Sequence, residues 1–286
     1  MIPAAFDYAA PSSIEEALGL LQQHGDEAKL LAGGHSLLPL MKLRLAAPGI
    51  LVDLGRIPNL SYIRDAGDHV AIGPMTTEYL LETSSLLKQR IPLLAQAAGL
   101  VGDMQVRNRG TIGGSVAHAD PASDLPTIVM ALGAQIVATG PNGERTIAAD
   151  GFFEDIWTSV LQPDEIITEI RVPYGQGQPA QDYQKFRQRA SDWAIVGVAV
   201  SVTRQNGGIG SASVVLTNVG STPIRASGVE NALRGQQATA DNIRSASQHA
   251  SEGLNPSPEL KASPDYKRHL AQVMTRRALE TALGVK

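Results

Sequence analysis

The sequence predicts an α+β protein built from two consecutive domains, and three observations support this. The first sixty residues read as a strand, a glycine turn, a helix and a second strand. A polar segment rich in Gly, Gln and Pro at residues 174–182 is typical of a linker. After it, three apolar runs precede three helical patterns, which is typical of an α+β domain with a three-stranded antiparallel sheet. We therefore expect one domain at residues 1–176 and another at residues 177–286.

Composition limits the classes of function. The chain has 286 residues, enough for two ordinary domains. It contains 0 cysteines, so it can form no disulfide and ligate no thiolate zinc site or iron–sulfur cluster. With 24 basic and 28 acidic residues, its net charge of -4 argues against a nucleic-acid partner. Because neither a membrane-spanning apolar run nor a signal-peptide pattern is recognisable, we expect a cytoplasmic location with no transmembrane segment.

The first domain shows clear local signals in chain order. Ser12 and Ser13 followed by Glu15 and Glu16 form a capping-box pattern ahead of a helix that ends near Gly25. Pro-Asn-Gly between two apolar runs indicates a β-hairpin. Strands are expected at residues 28–32, 50–54, 61–64, 69–73, 134–139, 145–147 and 165–172. Helices are expected at residues 36–44, 76–82, 92–99 and 121–132.

The second domain is predicted to place its strands before its helices. Strands are expected at residues 183–187, 194–203 and 211–218. Helices are expected at residues 224–234, 240–252 and 264–283.

Two glycine-rich segments are the strongest candidates for ligand binding. One begins at Ala32-Gly33-Gly34-His35-Ser36 and the other covers residues 111–126, with a Gly-Gly pair in each. Small residues after an apolar run let the backbone approach a phosphate closely. Neither segment contains the dinucleotide fingerprint GxGxxG or the phosphate-loop pattern GxxxxGK[ST]. The alternative is that each is an ordinary turn into a helix.

Polar residues after the second segment offer further candidates. His118, Asp120 and Asp124 have side chains that suit several divalent metal ions. Pro121 and the lack of a further His or Glu cluster nearby make a metal site the weaker interpretation. Carboxylates that accept hydrogen bonds from ribose hydroxyls, or that cap the next helix, fit better. We therefore expect no metal ligands in this chain.

Two residues beyond the linker lie where a ligand between domains would meet the second domain. Lys185 beside an electron-accepting ring would favour the reduced, anionic form of that ring. Trp193 lies on the same side of the linker. The alternative places the lysine in solvent and the tryptophan in the core. Arg107 and Arg109 flank the second glycine segment and could face phosphates, a partner or only water.

The residues quoted so far resemble a known family. AGGHSLLPLMKLR and TIGGSVAHADPASDLP are similar to the two flavin-binding signatures of the FAD-binding medium subunits of molybdenum hydroxylases, the carbon monoxide dehydrogenase and xanthine dehydrogenase family. The resemblance continues through PSSIEEAL, SDWAIVGVAV and LTNVGSTPIRA. It implies a PCMH-type FAD-binding fold of two α+β subdomains, roughly residues 1–57 and 58–176, followed by a C-terminal flavoprotein domain.

The resemblance also implies which residues contact FAD. Those expected around the pyrophosphate are Ala32, Gly33, Gly34, His35, Ser36, Leu37, Thr111, Gly113, Gly114 and Ser115. Those expected along the rest of the cofactor are Val101, His118, Asp120, Asp124, Leu161, Lys185 and Trp193. Within this group, Asp124 would contact the ribityl or phosphate-linked part, and Trp193 would lie near the isoalloxazine. Because the chain lacks cysteine and a histidyl-flavin signature, the FAD is expected to be noncovalent.

The family shares its chemistry among three subunits. A large subunit with a molybdopterin cofactor would oxidise the substrate, and a small one would carry [2Fe-2S] clusters. This chain would take electrons onto FAD and pass them to NAD, a quinone, dioxygen or another acceptor. It would supply no catalytic acid or base of its own. A dimer of heterotrimers is the expected assembly. Two alternatives remain open, namely a self-contained flavin oxidoreductase and an FAD-free assembly or binding protein of the same fold.

Overall fold

The computed structural model describes residues 2–174 and 179–285. The centre of the predicted linker and the predicted domain boundary at residues 176 and 177 lie outside the described residues. Within the described ranges, no helix is long and apolar enough to cross a membrane.

The regular elements of these ranges are numbered in chain order. The strands are β1 (Asp7–Ala9), β2 (Ala28–Leu31), β3 (Ile50–Asp53), β4 (Ile63–Asp65), β5 (His69–Ile72), β6 (Gln135–Gly140), β7 (Gly143–Ala148), β8 (Phe153–Asp155), β9 (Thr158–Ser159), β10 (Ile166–Pro173), β11 (Ala180–Phe186), β12 (Val196–Gln205), β13 (Gly208–Thr217) and β14 (Ile224–Arg225). The helices are α1 (Ile14–His24), α2 (Leu37–Lys42), α3 (Glu78–Thr83), α4 (Ser85–Arg90), α5 (Pro92–Ala98), α6 (Met104–Arg107), α7 (Ile112–His118), α8 (Asp124–Ala131), α9 (Ser227–Leu233), α10 (Ala240–Ser247) and α11 (Pro264–Leu283).

The first sheet carries the first glycine segment. Strands β1, β3 and β2 lie side by side in that order and run parallel. Helix α1 packs on them through the buried Ala17 and Leu21. The predicted capping signal is confirmed, because the Ser13 hydroxyl accepts a hydrogen bond from the Glu16 N–H at 3.2 Å. The glycine segment follows β2 directly and leads into α2, as the sequence indicated.

The second sheet is antiparallel and has the order β4-β5-β10-β6-β7. The predicted hairpin is confirmed, with Gly140 paired to Gly143 and Gly143 in the left-handed region at φ 102°. Helices α5, α7 and α8 contribute their apolar side chains to the core beneath this sheet. Helix α4, which was not predicted, is a separate short helix whose first turn is capped by Ser84. A small ribbon formed by β8 and β9 lies beside α7.

The second glycine segment is a helix rather than a loop. Thr111 caps α7 by accepting a hydrogen bond from the Gly114 N–H at 3.2 Å, so Gly113 and Gly114 lie in the first helical turn. A threonine cap satisfies a donor that would otherwise be unpaired, which offsets the poor helix propensity of glycine. The next helix, expected from residue 121, begins only at Asp124. It is delayed because the Asp120 carboxylate accepts from the Ala122 N–H at 2.8 Å and forms a turn.

The third sheet belongs to the C-terminal part and has the order β11-β12-β13-β14. Its three long strands were predicted, but β11 begins at Ala180, within the segment expected to be a linker, because residues 180–182 pair with β12. The fourth strand was not predicted: Ile224 and Arg225 pair with β13, so α9 starts at Ser227 rather than at residue 224. Helix α11 lies across β11 and β12, and α10 ends at Ser247 in a short 3-10 turn. The predicted α+β class is confirmed for this part of the chain.

The C-terminal sheet packs directly on the helices of the preceding part. Helix α8 contacts β12 and β13, and α5 contacts β11. The hydroxyl of Thr217 donates to that of Thr127 across this contact at 2.7 Å, with both side chains buried. This packing brings the end of β11 to the N-terminal end of α8, where Lys185 meets Asp124.

The two glycine segments also pack against each other. A Cβ atom at Gly33 would overlap the carbonyl oxygen of Arg109 and lie 2.8 Å from its carbonyl carbon. Both atoms are backbone, so the overlap cannot be relieved by rotating a side chain. The absence of a side chain at Gly33 is therefore needed for this packing as well as for any close approach to a ligand.

We predict that Gly33→Ala destabilises the flavin-free chain by about 1–3 kcal/mol through overpacking. The matched control is Gly19→Ala in α1, where a Cβ meets nothing within 4 Å. That control should stabilise the chain by about 0.5–1 kcal/mol, because alanine is the better helix former. Urea unfolding followed by circular dichroism measures both. Equal stability of the two variants would show that the two segments do not touch as described.

Candidate functional site

One cleft brings together all the residues expected to contact FAD except Asp120, whereas Arg107 and the exposed Arg109 do not line it. It encloses about 470 Å³ and lies between the first sheet, the helices α7 and α8, and the C-terminal sheet. Its walls are mainly apolar, with Leu21, Met75 and Ile167 among the side chains that form them. A mainly apolar cleft with a few polar groups that orient the ligand is typical of small-molecule and cofactor sites.

The first glycine segment contributes free backbone donors. The N–H groups of Gly33, Gly34, His35 and Ser36 have no hydrogen-bond acceptor anywhere in residues 2–174 and 179–285. Gly34 has φ 79°, a left-handed conformation, and Ser36 is in the right-handed helical region. Consecutive N–H groups in such a turn form a concave site for an anion. This segment has the features that phosphate binding requires.

The second glycine segment also lines the cleft, but it uses its N–H groups in hydrogen bonds within the protein. The Ile112 N–H donates to Thr76 at 3.1 Å, the Gly113 N–H to Pro74 at 2.9 Å and the Ser115 N–H to Thr111 at 3.0 Å. The Gly114 N–H is used by the Thr111 cap. The interpretation that this segment repeats the donor chemistry of the first is therefore wrong. Its glycines are needed for packing, since a Cβ at Gly113 would lie 2.5 Å from that of Pro74.

A buried charge pair joins the two halves of the cleft. The Lys185 ammonium on β11 donates to Asp124 Oδ2 at 2.7 Å and to the Leu100 carbonyl at 3.0 Å. The Tyr183 hydroxyl donates to Asp124 Oδ1 at 2.5 Å. The side chains of Lys185 and Asp124 are only 2% and 4% exposed. Burial raises the pKa of the Asp124 carboxyl, and the charge of Lys185 acts in the opposite direction.

This pair changes the interpretation of both residues. Asp124 lies in the first turn of α8, but its two oxygens bind side chains of the C-terminal sheet rather than capping the helix. The alternative of a solvent-exposed strand lysine is wrong, because Lys185 is buried. Its positive charge is balanced by Asp124, so it does not act as an isolated cation in the cleft. Whether either side chain also touches FAD stays a prediction.

Asp120 is the one expected FAD contact that does not line the cleft. Its Oδ2 accepts a hydrogen bond from Trp157 Nε1 at 3.2 Å, while its other oxygen forms the turn with Ala122. The indole of Trp157 stacks on His118, with ring centroids 6.3 Å apart. Asp120 therefore positions the aromatic neighbour of a cleft residue. Burial lowers the pKa of His118, which favours its neutral form.

The remaining expected FAD contacts line the cleft, and two of the alternatives left open by the sequence are wrong. Val101, Leu161 and Leu37 contribute apolar surface to the cleft. Trp193 also lines it and is 56% exposed, so it is not a core residue. Arg107 is neither a surface residue nor a free phosphate ligand, because its side chain binds Glu82 at 2.8 Å and the Val101 carbonyl at 3.0 Å.

Among the described residues, no group of three or more His, Cys, Asp or Glu could hold a metal ion.

Sequence reasoning missed several polar residues of the cleft, namely Lys29, Glu78, Ser123, Glu165, Ser191 and Asp192, and Glu78 is the most deeply buried of them. Its side chain lies against Gly110 and is nearly inaccessible, with a residue exposure of 5%. Its Oε2 atom is buried and has no hydrogen-bond partner within the described part of the chain. Burial is the main reason that the pKa of Glu78 is raised to about 7, and the charge of Asp124 raises it further. An acid in the first turn of a helix is ordinary, so no local signal could identify it.

We predict that Asp124→Ala destabilises the chain by about 3–5 kcal/mol, because it leaves the Lys185 charge buried without a partner. The double variant Asp124→Ala/Lys185→Met removes both charges and should recover part of that loss. Urea unfolding of the flavin-free protein measures both. A double variant that is less stable than the single variant would contradict a mutual charge pair.

The cleft fits a dinucleotide such as FAD on its own geometry. Free N–H donors suit a pyrophosphate, apolar walls suit flat rings, and polar side chains at the far end suit a ribityl chain or ring edge. The fit rests on unpaired donors and on Glu78, whose hydrogen-bonding capacity the protein does not satisfy.

Comparison with known proteins agrees with this geometry. Residues 4–175 match the family described as the FAD binding domain in molybdopterin dehydrogenase. Residues 181–282 match the CO dehydrogenase flavoprotein C-terminal domain. The carbon monoxide dehydrogenase medium chain of Hydrogenophaga pseudoflava is 45% identical over 99% of this chain and 98% of its own length.

Other relatives and solved structures match over nearly the whole length of both chains. The glyceraldehyde dehydrogenase medium chain of Sulfolobus acidocaldarius is 34% identical, with 98% of this chain and 99% of the relative covered. The structure of quinoline 2-oxidoreductase from Pseudomonas putida 86 superposes with a TM-score of 0.94 at 30% identity, covering 99% of both chains. The structure of carbon monoxide dehydrogenase from Hydrogenophaga pseudoflava superposes with a TM-score of 0.97, again covering 99% of both chains. The chain therefore belongs to the FAD-binding medium subunits of the molybdenum hydroxylases.

Proposed function

We propose that this chain binds FAD in the cleft between its two sheet-bearing halves and relays electrons from a partner's [2Fe-2S] clusters to an external acceptor. The observation that carries the proposal is the run of unpaired N–H groups from Gly33 to Ser36 at one end of that cleft. Membership of the medium-subunit family supports the redox role. With 0 cysteines, the chain cannot ligate the clusters itself.

The chain's own residues would hold and orient the cofactor. The backbone of the first glycine segment would bind the pyrophosphate, and Thr111 and Ser115 would close the same end of the cleft. Val101, Leu161 and Trp193 would cover the flat rings. FAD, when bound, supplies the ability to take up electrons singly and release them in pairs. Because the chain has no cysteine and no histidyl-flavin signature, we propose that it is held without a covalent bond.

The partners follow from the family. Medium chains of this kind work in complexes with a large and a small subunit. We propose that those subunits carry the molybdopterin cofactor and the [2Fe-2S] clusters, and that the complex is a dimer of heterotrimers. The relatives are named for carbon monoxide, glyceraldehyde and quinoline. Since chains of nearly identical fold serve such different compounds, we propose that the substrate is selected by the large subunit.

The cytoplasmic location stays a prediction that cell fractionation would test.

We also propose the domain division at residues 1–57, 58–176 and 177–286. Each range that the structure describes has a sheet of its own, and three separate apolar clusters lie beneath those sheets. The cluster of the first range includes Ile166 from β10, and that of the second includes Tyr183, Ala199 and Val215 from the C-terminal sheet, so apolar packing crosses both proposed boundaries.

Anaerobic reduction tests the relay function. We expect the full chain to purify with FAD in a ratio near one. Its flavin absorbance should persist when carbon monoxide, an aldehyde or an N-heterocycle is added to the chain alone. In the three-subunit complex, one of these compounds should bleach it.

The alternatives predict different results. Bleaching of the isolated chain by a substrate would favour a self-contained oxidoreductase. A colourless chain that cannot be loaded with FAD would favour an assembly protein. Reoxidation of the reduced complex by NAD, a quinone analogue or dioxygen, each added separately, would then identify the acceptor.

A further inference from the structure

Glu78 lines the cleft, and its buried Oε2 atom has no hydrogen-bond partner among the described residues. It lines the same cleft as the first glycine segment, and the structure gives its carboxyl group no hydrogen bond within the described ranges. An unpaired polar atom that is buried costs stability. Its partner is therefore expected to be a group that enters the cleft.

The nearby cations are already committed to other acids. Lys185 donates to Asp124 at 2.7 Å, and Arg107 donates to Glu82 at 2.8 Å. The resulting pairs leave Glu78 without a counter-ion of its own, although both cations and Asp124 act on it at longer range.

The helices packed against α3 supply no further counter-ion. Helix α5 has no ionisable side chain, since its sequence is PLLAQAA. In α4, Arg90 is directed to Asp65 at 3.6 Å, and Lys88 is exposed. On α6, Arg107 is the only ionisable side chain within Met104–Arg107. The surroundings of Glu78 therefore favour a neutral carboxylic acid over a carboxylate.

The chemistry of the expected ligand points in the same direction. FAD carries negative charge on its pyrophosphate and oxygen and nitrogen acceptors along its length. A carboxylate in the same cleft would repel that charge and could only accept hydrogen bonds, whereas the neutral acid can donate one.

We propose that Glu78 contacts bound FAD as a neutral carboxylic acid that donates a hydrogen bond to the cofactor, so that FAD binding takes up one proton. This inference rests on the proposed FAD site and adds to it a residue and a pH dependence. The upward shift of the Glu78 pKa to about 7 agrees with it, because the free protein then has both protonation states at neutral pH.

The sign of the pH dependence follows from linkage. Below pH 7 the acid is already protonated, so FAD affinity should be constant. Above pH 7 a proton must be taken up on binding, so the dissociation constant should rise by up to tenfold per pH unit. Between pH 6 and pH 8 we expect a loss of affinity of about tenfold.

The experiment compares the full-length chain, stripped of flavin, with its Glu78→Gln variant. FAD binding is followed by quenching of flavin fluorescence from pH 6 to pH 8.5. Glutamine is similar in size to glutamate and donates at every pH, so this variant should bind FAD with the slope removed. Calorimetry at pH 8 in two buffers of different ionisation enthalpy should detect proton uptake with the wild-type chain only. Glu144→Gln, at the far edge of the second sheet, is the matched control and should keep the wild-type slope.

The outcomes separate this inference from the proposed function. Equal slopes for the wild-type and Glu78→Gln chains, with FAD bound by both, would overturn the role of Glu78 and leave the FAD site standing. Failure of the folded wild-type chain to bind FAD at any pH would overturn both. Circular dichroism melting of each variant shows that it is folded before binding is measured.

Discussion

The cleft depends on the buried interaction between Lys185 and Asp124. One partner lies on the first strand of the C-terminal sheet and the other in the first turn of α8, so the pair crosses the contact between the two halves of the cleft. Burying two charges is costly unless both find partners. Tyr183 and the Leu100 carbonyl supply the remaining hydrogen bonds, at 2.5 Å and 3.0 Å. The position of the C-terminal wall relative to the FAD-binding part is therefore restricted by a polar network as well as by apolar packing.

The two glycine segments have different roles within this frame. The first keeps its N–H groups free in the lining of the cleft, while the second uses its N–H groups within its own helix and in hydrogen bonds to Pro74 and Thr76. Gly33 touches the backbone that leads into the second segment. Because the donors are held in place before any ligand arrives, a pyrophosphate would bind with little further ordering of the chain.

The buried cations beside the cleft are each compensated by an acid. Lys185 is compensated by Asp124, Arg107 by Glu82, and Glu78 is surrounded so that its protonated form is favoured. The structure thus contains few unbalanced charges that would act on a redox cofactor. This arrangement suits a subunit that binds and tunes its cofactor and leaves substrate chemistry to another chain.

Local signals were sufficient for much of this protein. The Ser13 cap, the turn at Gly143 and the apolar runs of the strands each act over a few residues, so they can be identified without the fold. The glycine segments are long and specific enough to indicate the family and the approximate lining of the cleft. Only the tertiary structure determined which donors remain free, because the acceptors that use those of the second segment include Thr76 and Pro74 from an earlier part of the chain. The same holds for Asp124 and Lys185, which lie 61 residues apart, and for Glu78, whose isolation depends on packing against Gly110. Such contacts between distant residues leave no pattern of fixed spacing in the sequence.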